Sequence, residues 1–175
     1  MPRLFVALDL PEETRDALVA LQTGLSFARW SKPAQLHMTL RFLGETSADQ
    51  LPELDKMLER LQQPAIDLYI SGLGTFSRDG IPYVLYANVE PAPALMEFQA
   101  RIEEAVGAMG FDVEPKPFRP HITLARLRDA QPDAVANYVA HASLEGSFTP
   151  PSFSLYQSTL DVEGAMYRKV NTYHW

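Results

Sequence analysis

Apolar and polar positions alternate along this chain in two rhythms, one of period two and one near 3.6, and the switches between them mark its elements. Leu4-Phe5-Val6-Ala7-Leu8 is an unbroken apolar run rich in strand formers and reads as a buried strand. Pro11-Glu12-Glu13 then opens a helix expected to reach about residue 25, with Leu18, Leu21 and Leu25 as its apolar stripe. After Trp30-Ser31-Lys32-Pro33, residues 36–43 alternate like a strand and stop at Gly44. A second helix is expected over 48–62, capped by Ser47 or Asp49. Strands at 66–70 and 82–89 flank Ser77-Arg78-Asp79-Gly80, a hairpin signal. A third helix over 94–109 is closed by Gly110, and Pro115, Pro117 and Pro120 mark a loop before a strand over 121–127. A helix over 132–142 and strands near 153–160 and 167–174 complete the pattern.

The elements repeat. Each half runs strand, helix, Pro-containing loop, then a strand that begins with histidine, so that Leu4 to Asp9 corresponds to Leu85 to Val89 and His37-Met38-Thr39-Leu40 to His121-Ile122-Thr123-Leu124. No linker-like tract separates the halves, which predicts one domain over residues 1–175, made of two pseudo-symmetric lobes around a cleft.

Composition narrows the chemistry. The 175 residues are 46% apolar and 21% charged, as expected of a globular chain with a sizeable core. No stretch approaches the roughly 18 apolar residues of a membrane span, and the amino terminus meets a charge too early for a signal peptide, so a cytoplasmic protein is expected. The lack of cysteine excludes disulfides, thiolate nucleophiles and thiolate metal sites. A net charge of −7 argues against binding long nucleic acid through many phosphates. A small phosphorylated substrate is still accommodated if Lys116, Arg119, Arg126 and Arg128 make a local positive cleft.

On a strand, positions i and i+2 share a face, so His37 with Thr39 and His121 with Thr123 turn one way while Met38, Leu40, Ile122 and Leu124 turn to the core. If the lobes meet about a two-fold axis, two imidazoles face each other across a cleft. Such a pair suits a cyclic phosphodiester: one neutral imidazole takes a proton from water and one imidazolium protonates the leaving ribose oxygen, with no metal required. The threonine hydroxyls can hold the non-bridging oxygens. Arg41 shares the parity of His37, whereas Arg126 has the opposite parity to His121 and reaches the cleft only if the strand bulges or twists after Leu124. Tyr156, Trp30, Phe42 and Phe118 are candidates for stacking on a base, and His141 and His174, lacking a comparable setting, read as structural.

These residues resemble the paired signature of the 2H phosphoesterases. Phe5-Val6-Ala7-Leu8-Asp9, Arg41-Phe42-Leu43-Gly44, Arg119-Pro120, Ala125-Arg126, Leu155-Tyr156-Gln157-Ser158-Thr159-Leu160 and the segment from Gly164 to Tyr167 are similar to the bacterial and archaeal RNA 2′,3′-cyclic phosphodiesterases, also called 2′-5′ RNA ligases. The resemblance implies a bilobal α+β fold with two antiparallel sheets lining a central groove and helices on the outer faces. It also implies hydrolysis of RNA or nucleoside 2′,3′-cyclic phosphate to a 2′-phosphomonoester without cofactor or metal. His37 would be the proton donor and His121 the acceptor, with Thr39, Thr123 and Arg126 binding phosphate. The expected partners are RNA ends or nucleotides carrying a cyclic phosphate, with no membrane, no obligate protein partner and a monomer as the default.

Three rival readings are weighed against this one. The reverse reaction, 2′-5′ ligation, uses the same histidines but must hold two RNA ends, which the acidic balance disfavours. A non-catalytic RNA-end or nucleotide-binding module would more naturally hold phosphate with Arg, Lys or helix amino termini. A metal site lacks a second His or carboxylate at the short spacings that complete one.

Overall fold

The computed structural model describes residues 1–61 and 63–175. The chain forms β1 (Arg3–Leu8), α1 (Glu12–Val19), β2 (Ala28–Trp30), β3 (Met38–Glu45), α2 (Leu51–Glu59), β4 (Leu68–Arg78), β5 (Ile81–Val89), α3 (Pro93–Ala108), β6 (His121–Leu127), α4 (Pro132–His141), β7 (Glu145–Phe148), β8 (Ser152–Asp161) and β9 (Gly164–His174). The strands build two antiparallel sheets, ordered β3-β1-β8-β9 and β2-β6-β5-β4-β7, with the helices outside them. The fold is α+β.

Several boundaries differ from the sequence reading for local reasons. α1 ends at Val19, its last turn tightened by bonds from the Leu21 and Gln22 N–H groups to the Leu18 and Val19 carbonyls; Gly24 at φ +90° then turns the chain, and Leu25 reaches the core from the loop rather than from a helix. Ser47 caps a short 3₁₀ turn, its backbone N–H bonded by Gln50 Oε1 at 3.3 Å, and α2 follows it; the expected helix end at residue 62 lies outside the described residues. β4 runs well past residue 70, because Gly72 at φ +79° shifts the register between Ile70 and Leu73 without ending the strand. Asp79 and Gly80, at φ 54° and 78°, make the two-residue hairpin turn that the sequence announces. β2 and β7, three and four residues long, were not anticipated.

The two sheets are not built from contiguous halves. β8 and β9, from the carboxy-terminal end of the chain, complete the sheet of β1 and β3, while β2 forms the edge of the other sheet. The repeat nevertheless survives in the register. Thr39 pairs with Ala7 and Arg41 with Val6, leaving Leu40 unpaired; Thr123 pairs with Tyr86 and Ala125 with Leu85, leaving Leu124 unpaired. Each histidine motif therefore carries a bulge at its own leucine, and each leucine is buried in the main core. α3 presents Leu95, Phe98, Ile102 and Val106 inward, and Phe98 meets Phe153 of β8 and Trp175 at ring distances of 5.2 and 5.4 Å. No helix among the described residues is long and apolar enough to cross a membrane.

Candidate active site

β3 and β6 lie against one another; Thr39 on β3 with His37 just before it, and His121 with Thr123 on β6, face the cleft between the sheets while Met38, Leu40, Ile122 and Leu124 fill the core. The two histidines are held alike. His37 Nδ1–H donates to the Gln35 carbonyl at 2.6 Å and His121 Nδ1–H to the Arg119 carbonyl at 2.7 Å, in both cases the residue two positions earlier. A carbonyl only accepts, so each bond fixes the proton on Nδ1 and leaves Nε2 for chemistry. His37 Nε2 accepts from the Thr39 hydroxyl at 3.0 Å. Gln35 is itself tied by its side-chain amide to the Ala165 carbonyl in the β8–β9 hairpin.

Aromatic walls fix both rings. His37 lies 4.9 Å from Phe5, 5.8 Å from Tyr156 and edge-on to Tyr167 at 5.2 Å. His121 is edge-on to Phe76 at 5.0 Å and to Tyr86 at 5.4 Å. Sequence reasoning missed Phe5, Phe76, Tyr86 and Tyr167 in this role, since an aromatic in a strand reads equally well as core. It also missed what lies beneath Tyr156. Asp9, buried at the end of β1, accepts from Ser152 at 2.7 Å, Ser154 at 2.6 Å and the Tyr156 hydroxyl, and pairs with Lys169 at 3.0 Å. These partners satisfy a charge that would otherwise be costly inside the protein.

Burial, the largest influence, lowers the His37 pKa from 6.5 to about 4; the Gln35 carbonyl opposes it, the nearby His121 adds to it and the Asp9 carboxylate opposes it. Burial likewise lowers His121, with the Arg119 carbonyl opposing and the Arg119 guanidinium reinforcing the shift. Charge on His121 is thus felt at His37, as expected of two imidazoles sharing one cleft.

The bulges decide the arginines. Arg41, whose parity pointed to the cleft, is turned away by the bulge at Leu40. Its guanidinium is buried, paired with Glu103 of α3 at 2.5 Å and bonded to the Phe42 and Asp112 carbonyls. The bulge at Leu124 does the reverse for Arg126, which stands exposed on the face of His121 and Thr123. The basic cluster foreseen around it is divided: Arg119 lies over Phe76 at 5.9 Å at the histidine end of β6, while Arg126 and Arg128 sit at the far end. Of the stacking candidates, Phe42 is 59% exposed on the cleft side, whereas Tyr156 is buried against Phe5 and Trp30 packs on Tyr138. Phe118 packs against the core, and His141 bonds the Asn137 carbonyl in the last turn of α4. Among the described residues no group of three or more His, Asp and Glu is gathered as a metal shell.

Residues 10–161 match the family model of the 2′-5′ RNA ligase superfamily. An RNA 2′,3′-cyclic phosphodiesterase of Thermus thermophilus is 37% identical over 176 residues, covering 94% of this chain and 86% of that protein. The crystal structure of TT0787 from the same organism superposes with a TM-score of 0.82 at 29% identity, over 98% of this chain and 97% of that one. E. coli LigT complexed with 3′-AMP superposes with a TM-score of 0.79 at 28% identity, over 99% of this chain and 98% of the other.

Proposed function

The chain belongs to the 2′-5′ RNA ligase superfamily, and on that premise we propose that it hydrolyses the 2′,3′-cyclic phosphate of RNA ends or nucleosides to a 2′-phosphomonoester. The observation that carries the reading is the matched pair of His-x-Thr strands, each imidazole locked through Nδ1 and each Nε2 left for the cleft.

In the proposed reaction His121 Nε2 takes a proton from water as the water oxygen bonds to phosphorus. The bond from phosphorus to O3′ breaks, and His37 Nε2–H delivers its proton to that oxygen. A 3′-hydroxyl and a 2′-phosphate result, and solvent exchange resets the two protons. At His37 burial and His121 outweigh Asp9, the charge that favours the imidazolium, while at His121 burial and the Arg119 guanidinium favour the neutral ring; the donor and acceptor roles are those the family resemblance implies. Burial keeps His37 neutral in the free protein, so its second proton is stabilised only when an anionic phosphate enters the cleft. Thr39 and Thr123 then donate to the non-bridging oxygens, Thr39 exchanging its bond to His37, and Arg126 adds positive charge on the same face.

The test is hydrolysis of a nucleoside 2′,3′-cyclic phosphate in EDTA, with 2′- and 3′-phosphate products resolved. A 2′-phosphate is expected, with His37→Ala and His121→Ala each lowering kcat by about 10²–10⁴. A 3′-phosphate product, or no turnover, overturns the reading. A substrate carrying sulfur in place of O3′ assigns the roles, because a thiolate leaves without protonation: His37→Ala should keep most of its activity on it and His121→Ala should not.

A further inference from the structure

The two histidines reach the cleft from unlike ground. His121 is the first residue of β6 and is paired in the ladder with Asn88, whereas His37 comes just before β3, whose ladder with β1 begins at Met38 opposite Leu8. The sheet therefore sets the backbone of His121 but not that of His37, which is carried by the segment between β2 and β3. In that segment a 3₁₀ turn spans Pro33–Gln35, with the Gln35 N–H bonded to the Lys32 carbonyl at 2.8 Å, and Leu36 is buried in the core. A further constraint comes from Gln35. Its carbonyl receives the His37 Nδ1–H at 2.6 Å, and its side-chain amide donates to the Ala165 carbonyl and lies 3.9 Å from Met166 Sδ.

The anchor belongs to a projecting ribbon. β1 pairs with β8 only as far as Ser158, while β8 and β9 go on pairing with each other to Asp161 and Gly164, so residues 159–166 extend beyond the sheet as a two-stranded hairpin. That hairpin lies against the stretch of chain leading to His37. A Cβ at Gly164 would meet the Arg29 guanidinium at 3.2 Å, Glu163 pairs with Lys32 at 3.3 Å, and Ala165 takes the Gln35 amide. Next to Met166, the Tyr167 ring stands edge-on to His37 at 5.2 Å. The Lys32–Glu163 pair is exposed on both sides and contributes little. The Gln35 amide is half-buried and ties the hairpin to the residue whose carbonyl holds His37.

We propose that Gln35 is a positioning residue for the proton donor: with its amide fixed on the β8–β9 hairpin, it presents its carbonyl to His37 Nδ1–H and thereby aims Nε2 at the leaving ribose oxygen. The proposal rests on the hydrolytic reading of the cleft, in which His37 is that donor. An imidazolium donates more strongly than a neutral ring, so the Gln35 carbonyl is bonded most tightly in the state that gives up the Nε2 proton. The second lobe needs no equal anchor, because the ladder already holds the backbone of His121. Its counterpart residue, Arg119, lends a carbonyl in the same way, while its guanidinium rests over the Phe76 ring at 5.9 Å.

The experiment measures kcat and KM for wild type and Gln35→Met, which keeps the length and apolar stem of the side chain but cannot donate, on a nucleoside 2′,3′-cyclic phosphate and on its 3′-thio counterpart. On the ordinary substrate kcat is expected to fall by about 10–100-fold with KM within about twofold. On the 3′-thio substrate, whose leaving group needs no proton, the loss should shrink to about threefold or less, and in a His37→Ala background the substitution should cost less than about twofold. A loss equal on the two substrates, or undiminished in the His37→Ala background, overturns the proposal, as does an unchanged kcat. Glu163→Gln disturbs the same hairpin without touching the amide bond and is expected to leave kcat within about twofold. A loss there equal to that of Gln35→Met would assign the effect to the hairpin at large and overturn the proposal. Nitrogen NMR of labelled histidine reads the positioning without turnover: Gln35→Met should move the His37 resonances from the Nδ1–H form toward a mixture of tautomers while leaving those of His121 in place. Unmoved His37 resonances overturn the proposal whether or not the protein turns over cyclic phosphates. Moved resonances in a protein inactive on them uphold the positioning and sink the hydrolytic reading alone.

Discussion

His37 and His121 occupy equivalent places in the repeat but not equivalent surroundings, and the difference sets a pH dependence. Burial depresses both pKa values below 6.5, His37 to about 4. In the proposed reaction the competent form of the free protein carries one extra proton on the pair, a minor form that is lost as pH rises through the higher of two depressed values. The alkaline limb of kcat/KM is therefore expected below pH 6.5. A bound phosphate anion favours imidazolium, so the alkaline limb of kcat should lie at higher pH than that of kcat/KM. Parallel pH titrations of both parameters check this, and coincident limbs would contradict it. The equivalence of the two histidine motifs was legible in the sequence because the tetrapeptide occurs twice. Their electrostatic setting was not, because Asp9 meets Ser152, Ser154, Tyr156 and Lys169 only through pairings 143 or more residues apart in sequence.

At the scale of elements, the helices and long strands were readable from their periodicity, while β2 and β7 were too short and irregular to alternate. Parity failed at one kind of place, the bulge. A strict period of two sends Arg41 to the cleft and Arg126 away from it, and the unpaired Leu40 and Leu124 invert both. Strand pairing is also what makes Gly74 matter. It lies opposite Tyr86, whose ring occupies the space a side chain would need: a Cβ there would come within 2.6 Å of the ring. Gly74→Ala must push Tyr86 toward His121 or bend β4, at a cost of about 1–3 kcal/mol for an overpacked contact. Thermal denaturation should show a Tm lowered by a few degrees, with kcat falling further than the folded fraction does. An unchanged kcat would show that the Tyr86 ring does not position His121.

For the molecule as a whole, the exchange of strands between the halves governs how it unfolds. We infer that residues 1–175 form one cooperative unit, because the sheet carrying His37 is closed by a hairpin from the other end of the chain. Ending the chain at residue 149 would remove β8 and β9 and expose both the edge of β1 and the core around Phe98, which loses Phe153 and Trp175. It would also leave Asp9 without its hydroxyl and ammonium partners. These losses are set against only the roughly 5–15 kcal/mol that holds a domain together. The truncated chain is therefore expected to show no cooperative thermal transition, although it retains both histidine motifs. Calorimetry of the full chain should give one transition whose calorimetric and van't Hoff enthalpies agree. Two resolved transitions, or a folded 1–149 fragment, would mean that each sheet stands alone, and the alignment of His37 with His121 would then depend on docking rather than on folding.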